Sequence, residues 1–308
     1  MGKWFKVDTR RRLGVKTKTE GFILESIKNG QFALYVEKAL SDKKYYKEYL
    51  GGKMDSAQFR EAMRSDESLL DASWFNEYNI NRISLMPPDE KLPADTIVGY
   101  LAENRLISKC EDMYEGFDEY RAHIRKNYDH GEFITFIYPE DERLLYAVAK
   151  ITQPKNVFVA GSYYGYFAIW AMKTVYENDG MATLSDINEK VCEVAKKNFE
   201  KLGYGDNTEV CCEDAKALLL RRREPIDMLV LDATGRHDDP RPEYRGKRIY
   251  GAFLRDAKHL LKKGSAIVIH NMEPKNPDMK MLVDELQAIN ALGTSYDTYN
   301  GLGVYVIA

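Results

Sequence analysis

The stretch 156–186 reads NVFVAGSYYGYFAIWAMKTVYENDGMATLSD, and its reading decides the fold. NVFVAG (156–161) is a short, β-branched apolar run ending on glycine. YFAIWAMKTVYEN (166–178) carries apolar residues at helical spacing. MATLSD (181–186) is a second short strand. A strand, a glycine turn, a helix and a second strand form a crossover unit whose two strands lie parallel, with a right-handed connection. The same grammar continues outward. The helix NEKVCEVAKKNFEKLG (188–203) places Val191, Val194, Ala195, Asn198, Phe199 and Leu202 on one face. TEVCCED (208–214) leads to the helix AKALLLRRR, IDMLVLDA (226–233) to the helix YGAFLRDAKHLLKKG, and SAIVIHN (265–271) to the helix DMKMLVDELQAINALG. TSYDTYN and LGVYVIA, joined by little more than Gly301, predict a closing antiparallel hairpin. The expected architecture is α/β: a doubly wound, mostly parallel seven-stranded sheet.

Before Gly131 the pattern differs. GFILESIKNGQFALYVEKAL and SAQFREAMRSDESLLDASWF read as helices, LMPPDEKLP as a loop, and EGFDEYRAHIRKNY as another helix, with one more beginning after Pro93. This predicts a mainly helical N-terminal domain over 1–130 and the sheet domain over 131–308. PEDERLLYAVAKI opens the second region with Pro139 at the first helical position and acids in the first turn, both suited to a helix start.

The 308 residues fit about two domains. Hydrophobic residues at 44% and charged residues at 30% exclude a disordered or collagen-like chain. Forty-five Lys and Arg against 48 Asp and Glu leave a net charge of −3, no footprint for a dedicated nucleic-acid binder. No apolar run is long enough for a membrane span. The N-terminus, with Arg10, Arg11, Arg12, Lys16 and Lys18, lacks the apolar core of a secretory signal and reads as a solvated arm. Cys110, Cys192, Cys211 and Cys212 form no CxxC pair, which fits a cytoplasmic setting better than a disulfide framework or zinc site.

In an open α/β sheet, ligands bind at the carboxyl ends of the strands near the switch point. Gly161 and Gly165 allow a tight turn and close backbone approach, with Ser162 and Tyr163 between them and helix amides beyond. Asp186 ends the second strand beside Ile187, and its carboxylate can accept both hydroxyls of a ribose. Asp186 or Asn188 could instead cap the next helix. Glu213 and Asp214, followed by Ala215, end the third strand, where an acid can accept from an adenine amino group or cap a helix. Asp232 ends the fourth strand, where a ligand's reacting end would lie. His270, at the end of the fifth strand, and His237, in the loop TGRHDDPRPEYRGKR, are candidate general bases with an ordinary pKa near neutrality. The arginines of that loop could hold a carboxylate or phosphate. His123, His130 and His259 read as structural.

The order of glycine turn, Asp186, Glu213-Asp214-Ala215, Asp232-Ala233 and a closing hairpin resembles the class I S-adenosylmethionine-dependent methyltransferases, with their Rossmann-like sheet. The catechol and caffeoyl-CoA O-methyltransferase group is the nearest subgroup. Tyr138-Pro139-Glu140 is similar to its serine-proline-glutamate helix start, and VAGSYYGYF to its glycine turn at Gly161, Gly165 and Tyr166. The resemblance covers about 135–308. It implies S-adenosyl-L-methionine as cofactor, held by Gly161, Ser162, Tyr163, Gly165, Asp186, Ile187, Glu213, Asp214, Ala215 and Asp232, and methyl transfer to a small molecule. Asp232, His270 and His237 are the candidate catalytic residues. There are departures. Val159 stands where the subgroup carries an acid before the first glycine. Asp232-Ala233-Thr234-Gly235 replaces a strand end of Asp-Ala-Asp-Lys, and His270-Asn271 replaces Asp-Asn. Asp232, His270 and Asn271 are therefore weak metal candidates, since Mg²⁺ prefers oxygen and histidine suits a softer ion. The expected activity is O-methylation, with the helical region as a cap or homodimer interface. Aminocarboxypropyl transfer, a nicotinamide-dependent oxidoreductase and a non-catalytic scaffold are the alternatives.

Overall fold

The computed structural model describes residues 32–308 apart from 73, 109–111 and 133–134. The basic arm, the first half of the helix expected over 21–40, and Cys110 lie outside the described residues. Five strands alternate with helices and two close the sheet: β1 (Asn156–Ala160), β2 (Met181–Asp186), β3 (Thr208–Cys212), β4 (Ile226–Leu231), β5 (Leu261–His270), β6 (Ala291–Tyr296) and β7 (Leu302–Ile307). Their order across the sheet is β3-β2-β1-β4-β5-β7-β6. The first five pair in parallel, and β7 runs antiparallel between β5 and β6. The strand order turns at β1, flanked by β2 and β4, so the crevice of the switch point opens beyond Ala160 and Leu231.

The buried middles of the central strands are apolar because both faces are covered. Val157, Val159, Met228, Val230, Ala266 and Val268 face one core. Phe158, Ala160, Leu229, Leu231, Ile267 and Ile269 face the other. The first core is closed by helices α5 (Leu92–Glu103), α6 (Phe117–Asn127), α7 (Pro139–Thr152), α8 (Ile169–Glu177) and α9 (Glu189–Lys201). The second is closed by α10 (Ala215–Arg221), α11 (Ile249–Ala257) and α12 (Lys280–Ala288). Each fully buried Val, Leu, Ile or Phe side chain contributes about 1.5–3 kcal/mol.

The shorter helices α1 (Phe32–Leu40), α2 (Lys44–Leu50), α3 (Ser56–Arg64) and α4 (Glu77–Ile83) gather a third core around Val36, Leu40, Phe59, Met63 and Ile83. Tyr49 stacks on Phe59 at 4.2 Å and 9°. Asp55 and Gln58 cap α3 reciprocally, each side chain accepting from the other's backbone N–H at 2.8 and 3.0 Å. Tyr138 and Tyr299 belong to this third core, stacked on each other at 4.6 Å. Tyr299 also donates its hydroxyl to Asn79 at 2.9 Å. The turn between β6 and β7 and the start of α7 are thereby tied to the helices that precede the sheet.

Two expected boundaries shift. The helix expected to run to Gly293 stops at Ala288; Asn290 turns through φ +54° and β6 begins at Ala291. Asparagine tolerates this left-handed turn and ends a helix there. The helix expected to reach Gly264 stops at Ala257, and Leu261 is already on β5, paired with Ile226. The long helix expected over 56–75 breaks after Arg64, where Asp66 accepts from the Ser68 N–H at 3.0 Å and opens a new turn. No helix among the described residues is long and apolar enough to cross a membrane.

Candidate active site at the strand ends

The glycine turn leaves β1 with Gly161 at φ +83° and Gly165 at φ +82°, both in the region that favours glycine. The backbone N–H groups of Gly161 and Ser162 both donate to the Ser185 carbonyl at 2.9 Å, tying the turn to the end of β2. A Cβ on Gly161 would lie 2.5 Å from the Cα of Ala233, and one on Gly165 would lie 2.4 Å from the Phe199 ring. The turn therefore lies directly against the end of β4. Gly161→Ala is expected to destabilise the fold by about 1–3 kcal/mol, as overpacking and a strained backbone together require. Urea unfolding measures it; an unchanged midpoint would contradict the contact.

Asp186 sits across the turn. Its Oδ2 accepts from the Tyr163 N–H at 3.0 Å and its Oδ1 from the Asn188 N–H at 3.0 Å. Tyr163 holds φ +49°, the left-handed conformation that presents its N–H to Asp186. Burial raises the Asp186 pKa, and these backbone N–H groups oppose the rise. An ionised carboxylate offers about four lone-pair sites, so acceptor capacity remains beyond these two bonds. Ile187, 65% exposed, presents apolar surface next to it. The Ser162 hydroxyl is buried in the turn without a hydrogen-bond partner.

At the end of β3 both acids make contacts within the protein. Asp214 caps α10 by accepting from the Lys216 N–H at 2.9 Å, and Ala215 is buried behind it. Glu213 pairs with both terminal nitrogens of Arg221 on the protein surface. The two Glu213 oxygens are both engaged, whereas Asp214 spends one oxygen on the cap and keeps acceptor capacity on the other.

The ends of β4 and β5 hold a buried charged network. His270, 3% exposed, places Nδ1 2.7 Å from Asp232 Oδ1 and Nε2 3.2 Å from Asp141 Oδ2. Asp141 comes from the first turn of α7, where the same oxygen accepts from the Tyr138 N–H at 2.8 Å and from Asn300 at 2.9 Å. A carboxylate can only accept, so both ring nitrogens must donate and His270 is an imidazolium. Burial alone pushes its pKa down, but the two carboxylates hold it up to about 10. His270 is thereby held as a cation between two anions, whereas a general base needs a free neutral ring nitrogen. His237 lies exposed in the loop after β4, outside this network.

That loop is closed at its neck by reciprocal backbone bonds between Gly235 and Gly246. Arg236 pairs bidentately with Asp238, Arg241 with Asp239, and Arg248 with Asp278. These arginines are engaged within the protein rather than presented to an anionic ligand. Lys247 turns inward instead. Its ammonium donates to the Ala233 carbonyl at 2.9 Å, Asn271 Oδ1 at 2.8 Å and the Tyr250 hydroxyl at 2.7 Å. Burial lowers its pKa to about 8, against the pull of Asp232. The Tyr250 hydroxyl in turn donates a hydrogen bond to the His270 carbonyl at 2.9 Å.

The same contacts occupy atoms of the metal candidates Asp232, His270 and Asn271. The nitrogen of His270 nearest Asp232 is spent on that carboxylate, and the Asn271 oxygen on Lys247. Among the described residues, no three His, Cys, Asp or Glu side chains converge as a metal site. Sequence reasoning missed Asp141, Asn300 and Tyr250, and took Lys247 as one more loop cation.

Residues 113–276, just over half of the chain, match the family described as O-methyltransferase, and the chain belongs to that family. A catechol O-methyltransferase from Niastella koreensis is 26% identical over 138 residues, 44% of this chain and 57% of that relative. The chain thus spans little more than half the length of that curated relative. An O-methyltransferase from Bacillus cereus, solved in complex with SAH, superposes with TM-score 0.44 and 17% identity, over 71% of this chain and 100% of that one. The O-methyltransferase TomG from Streptomyces achromogenes, solved in complex with SAM, gives 0.45 and 16%, over 71% and 99%. The family match lends no support to the oxidoreductase or aminocarboxypropyl readings.

Proposed function

We propose that the chain is an S-adenosylmethionine-dependent methyltransferase acting on a hydroxyl of a small-molecule acceptor. The observation that carries this reading is Asp186, buried at the end of β2, bonded to the glycine turn and retaining acceptor capacity. The turn fits such a cofactor: Ser162 offers a buried, unpartnered hydroxyl where a carboxylate could accept from it. Asp186 accepts the ribose hydroxyls, Ile187 covers one face of the base, and the Tyr163 backbone holds the carboxylate in place. Gly161, Gly165 and the backbone around Ala215 complete the wall. The bound cofactor supplies an electrophilic methyl group on a sulfonium.

The chain's own residues then align and charge-balance the acceptor. Asp232 has one oxygen committed to His270, and the other is left to orient the acceptor hydroxyl and to accept its proton as the oxygen takes the methyl group from the sulfonium. His270 and Lys247 bring two positive charges to the same strand ends, and they offset negative charge growing on the acceptor oxygen. His237, on the exposed loop, is kept only as a contact to the outer part of an acceptor. Alignment of the two reacting atoms is the larger part of the work in an in-line displacement.

The helices α1 to α4 serve as a cap over the acceptor side, tied down through Tyr138 and Tyr299, while α5 and α6 pack on the sheet itself; assembly into a homodimer is the other use for the helical region. A role in small-molecule biosynthesis follows from the acceptor class, and the near-neutral net charge gives no reason to add a nucleic-acid partner. Cys192, Cys211 and Cys212 are free thiols, which supports a cytoplasmic setting. The test is transfer of labelled methyl from S-adenosylmethionine to a panel of catechols and other phenols. Label on an acceptor oxygen is expected; transfer to nitrogen or carbon acceptors alone would reject O-methylation.

A further inference from the structure

The ends of β4 and β5 are where the family resemblance implies a divalent ion, and the residues here do not fit one. Three oxygens converge there: the Ala233 carbonyl, Asn271 Oδ1 and the Tyr250 hydroxyl. The Lys247 nitrogen lies 2.7 to 2.9 Å from all three. Those are hydrogen-bond lengths, whereas Mg²⁺ draws its oxygens in to about 2.0–2.1 Å in near-octahedral order. Three acceptors match the three N–H donors of an ammonium, which leaves no oxygen of the cradle unspent. The Gly235–Gly246 neck brings the far end of the loop back, so that Lys247 reaches the residue that follows Asp232.

Charge balance points the same way. Asp232 and Asp141 supply two negative charges, and His270 and Lys247 supply two positive ones. A divalent ion would add an uncompensated +2 to a region largely withdrawn from water, where unpaired charge is expensive.

We propose that Lys247 is the resident cation of these strand ends, and that its ammonium stands where a divalent ion would otherwise bind. This rests on the methyltransferase reading only for what the charge is used for, because occupancy of the cradle can be measured without turnover. The ammonium makes the site independent of metal supply.

The test is a Mn²⁺ titration, followed by the electron paramagnetic resonance of the free ion, on the apoprotein and on the protein with S-adenosylhomocysteine. Wild type is expected to leave the free-ion signal at the buffer level up to about 1 mM, the weak end of dedicated protein cation sites. Lys247→Ala, which vacates the cradle beside Asp232, is expected to bind at least about tenfold more tightly. A saturable wild-type site that disappears in Asp232→Asn would overturn the proposal. A Lys247→Ala protein that binds no better than wild type would also overturn it, since Lys247 would then not be what keeps the ion out. Failure of S-adenosylhomocysteine to bind would count against the functional reading alone, because the apoprotein titration does not depend on it.

Discussion

Replacing His270 with alanine is expected to destabilise the fold by about 3–5 kcal/mol, the range for removing one partner of a buried ion pair. The imidazolium bridges Asp232 on β4 and Asp141 on α7, so its loss leaves two carboxylates facing each other without a cation. Asn300 would still donate to Asp141, and that single neutral donor cannot replace a charge. His270→Gln should lose nearly as much, because one amide nitrogen cannot donate to both carboxylates from the ring's two positions. The pH dependence has a fixed sign. The folded pKa, about 10, lies above the ordinary 6.5, so the stabilisation is fully present below pH 6.5 and is lost as pH rises through about 10. The gap between wild type and His270→Ala in urea unfolding should therefore narrow on the alkaline side. A gap below about 1 kcal/mol at pH 6, typical of exposed pairs, would mean that the network is not held as described.

Asp186→Ala is expected to weaken S-adenosylhomocysteine binding at least tenfold, about 1.4 kcal/mol or more. Two losses combine. The carboxylate that would accept the ribose hydroxyls is gone, and the Tyr163 N–H loses the acceptor that steadies its left-handed backbone. Asp186→Asn separates them: its amide oxygen can still accept from one N–H, so the turn should survive while ribose binding weakens. Calorimetry gives the affinities and near-ultraviolet circular dichroism reports the fold. Unchanged affinity in Asp186→Ala would place the ribose elsewhere.

The sheet was readable in advance for a physical reason. β1 and β4 are covered on both faces, and such strands are short, mostly apolar runs. β6 was harder. ALG at 291–293 continues the helical pattern of α12, and only the left-handed turn at Asn290 diverts the chain. At the site, Gly161, Gly165, Asp186 and Asp232 were legible because strand ends and glycine turns fix their positions relative to one another. The strand end also places His270, but not the two carboxylates that flank its ring. Its second partner, Asp141, lies 129 residues away in sequence and looked like one more acid suited to a helix start. Lys247 was unreadable for a similar reason. A loop rich in arginine gives no sign that one lysine turns inward while its arginine neighbours pair with nearby acids.

The crevice beyond β1 and β4 is the proposed cofactor site, and every role assigned to Asp186 and Asp232 depends on it. Calorimetric titration of the wild-type chain with S-adenosylhomocysteine tests this most directly, with NAD as the comparison ligand. Saturable binding of one equivalent of S-adenosylhomocysteine and no heat from NAD is the predicted result. Binding of NAD with none of S-adenosylhomocysteine would contradict it.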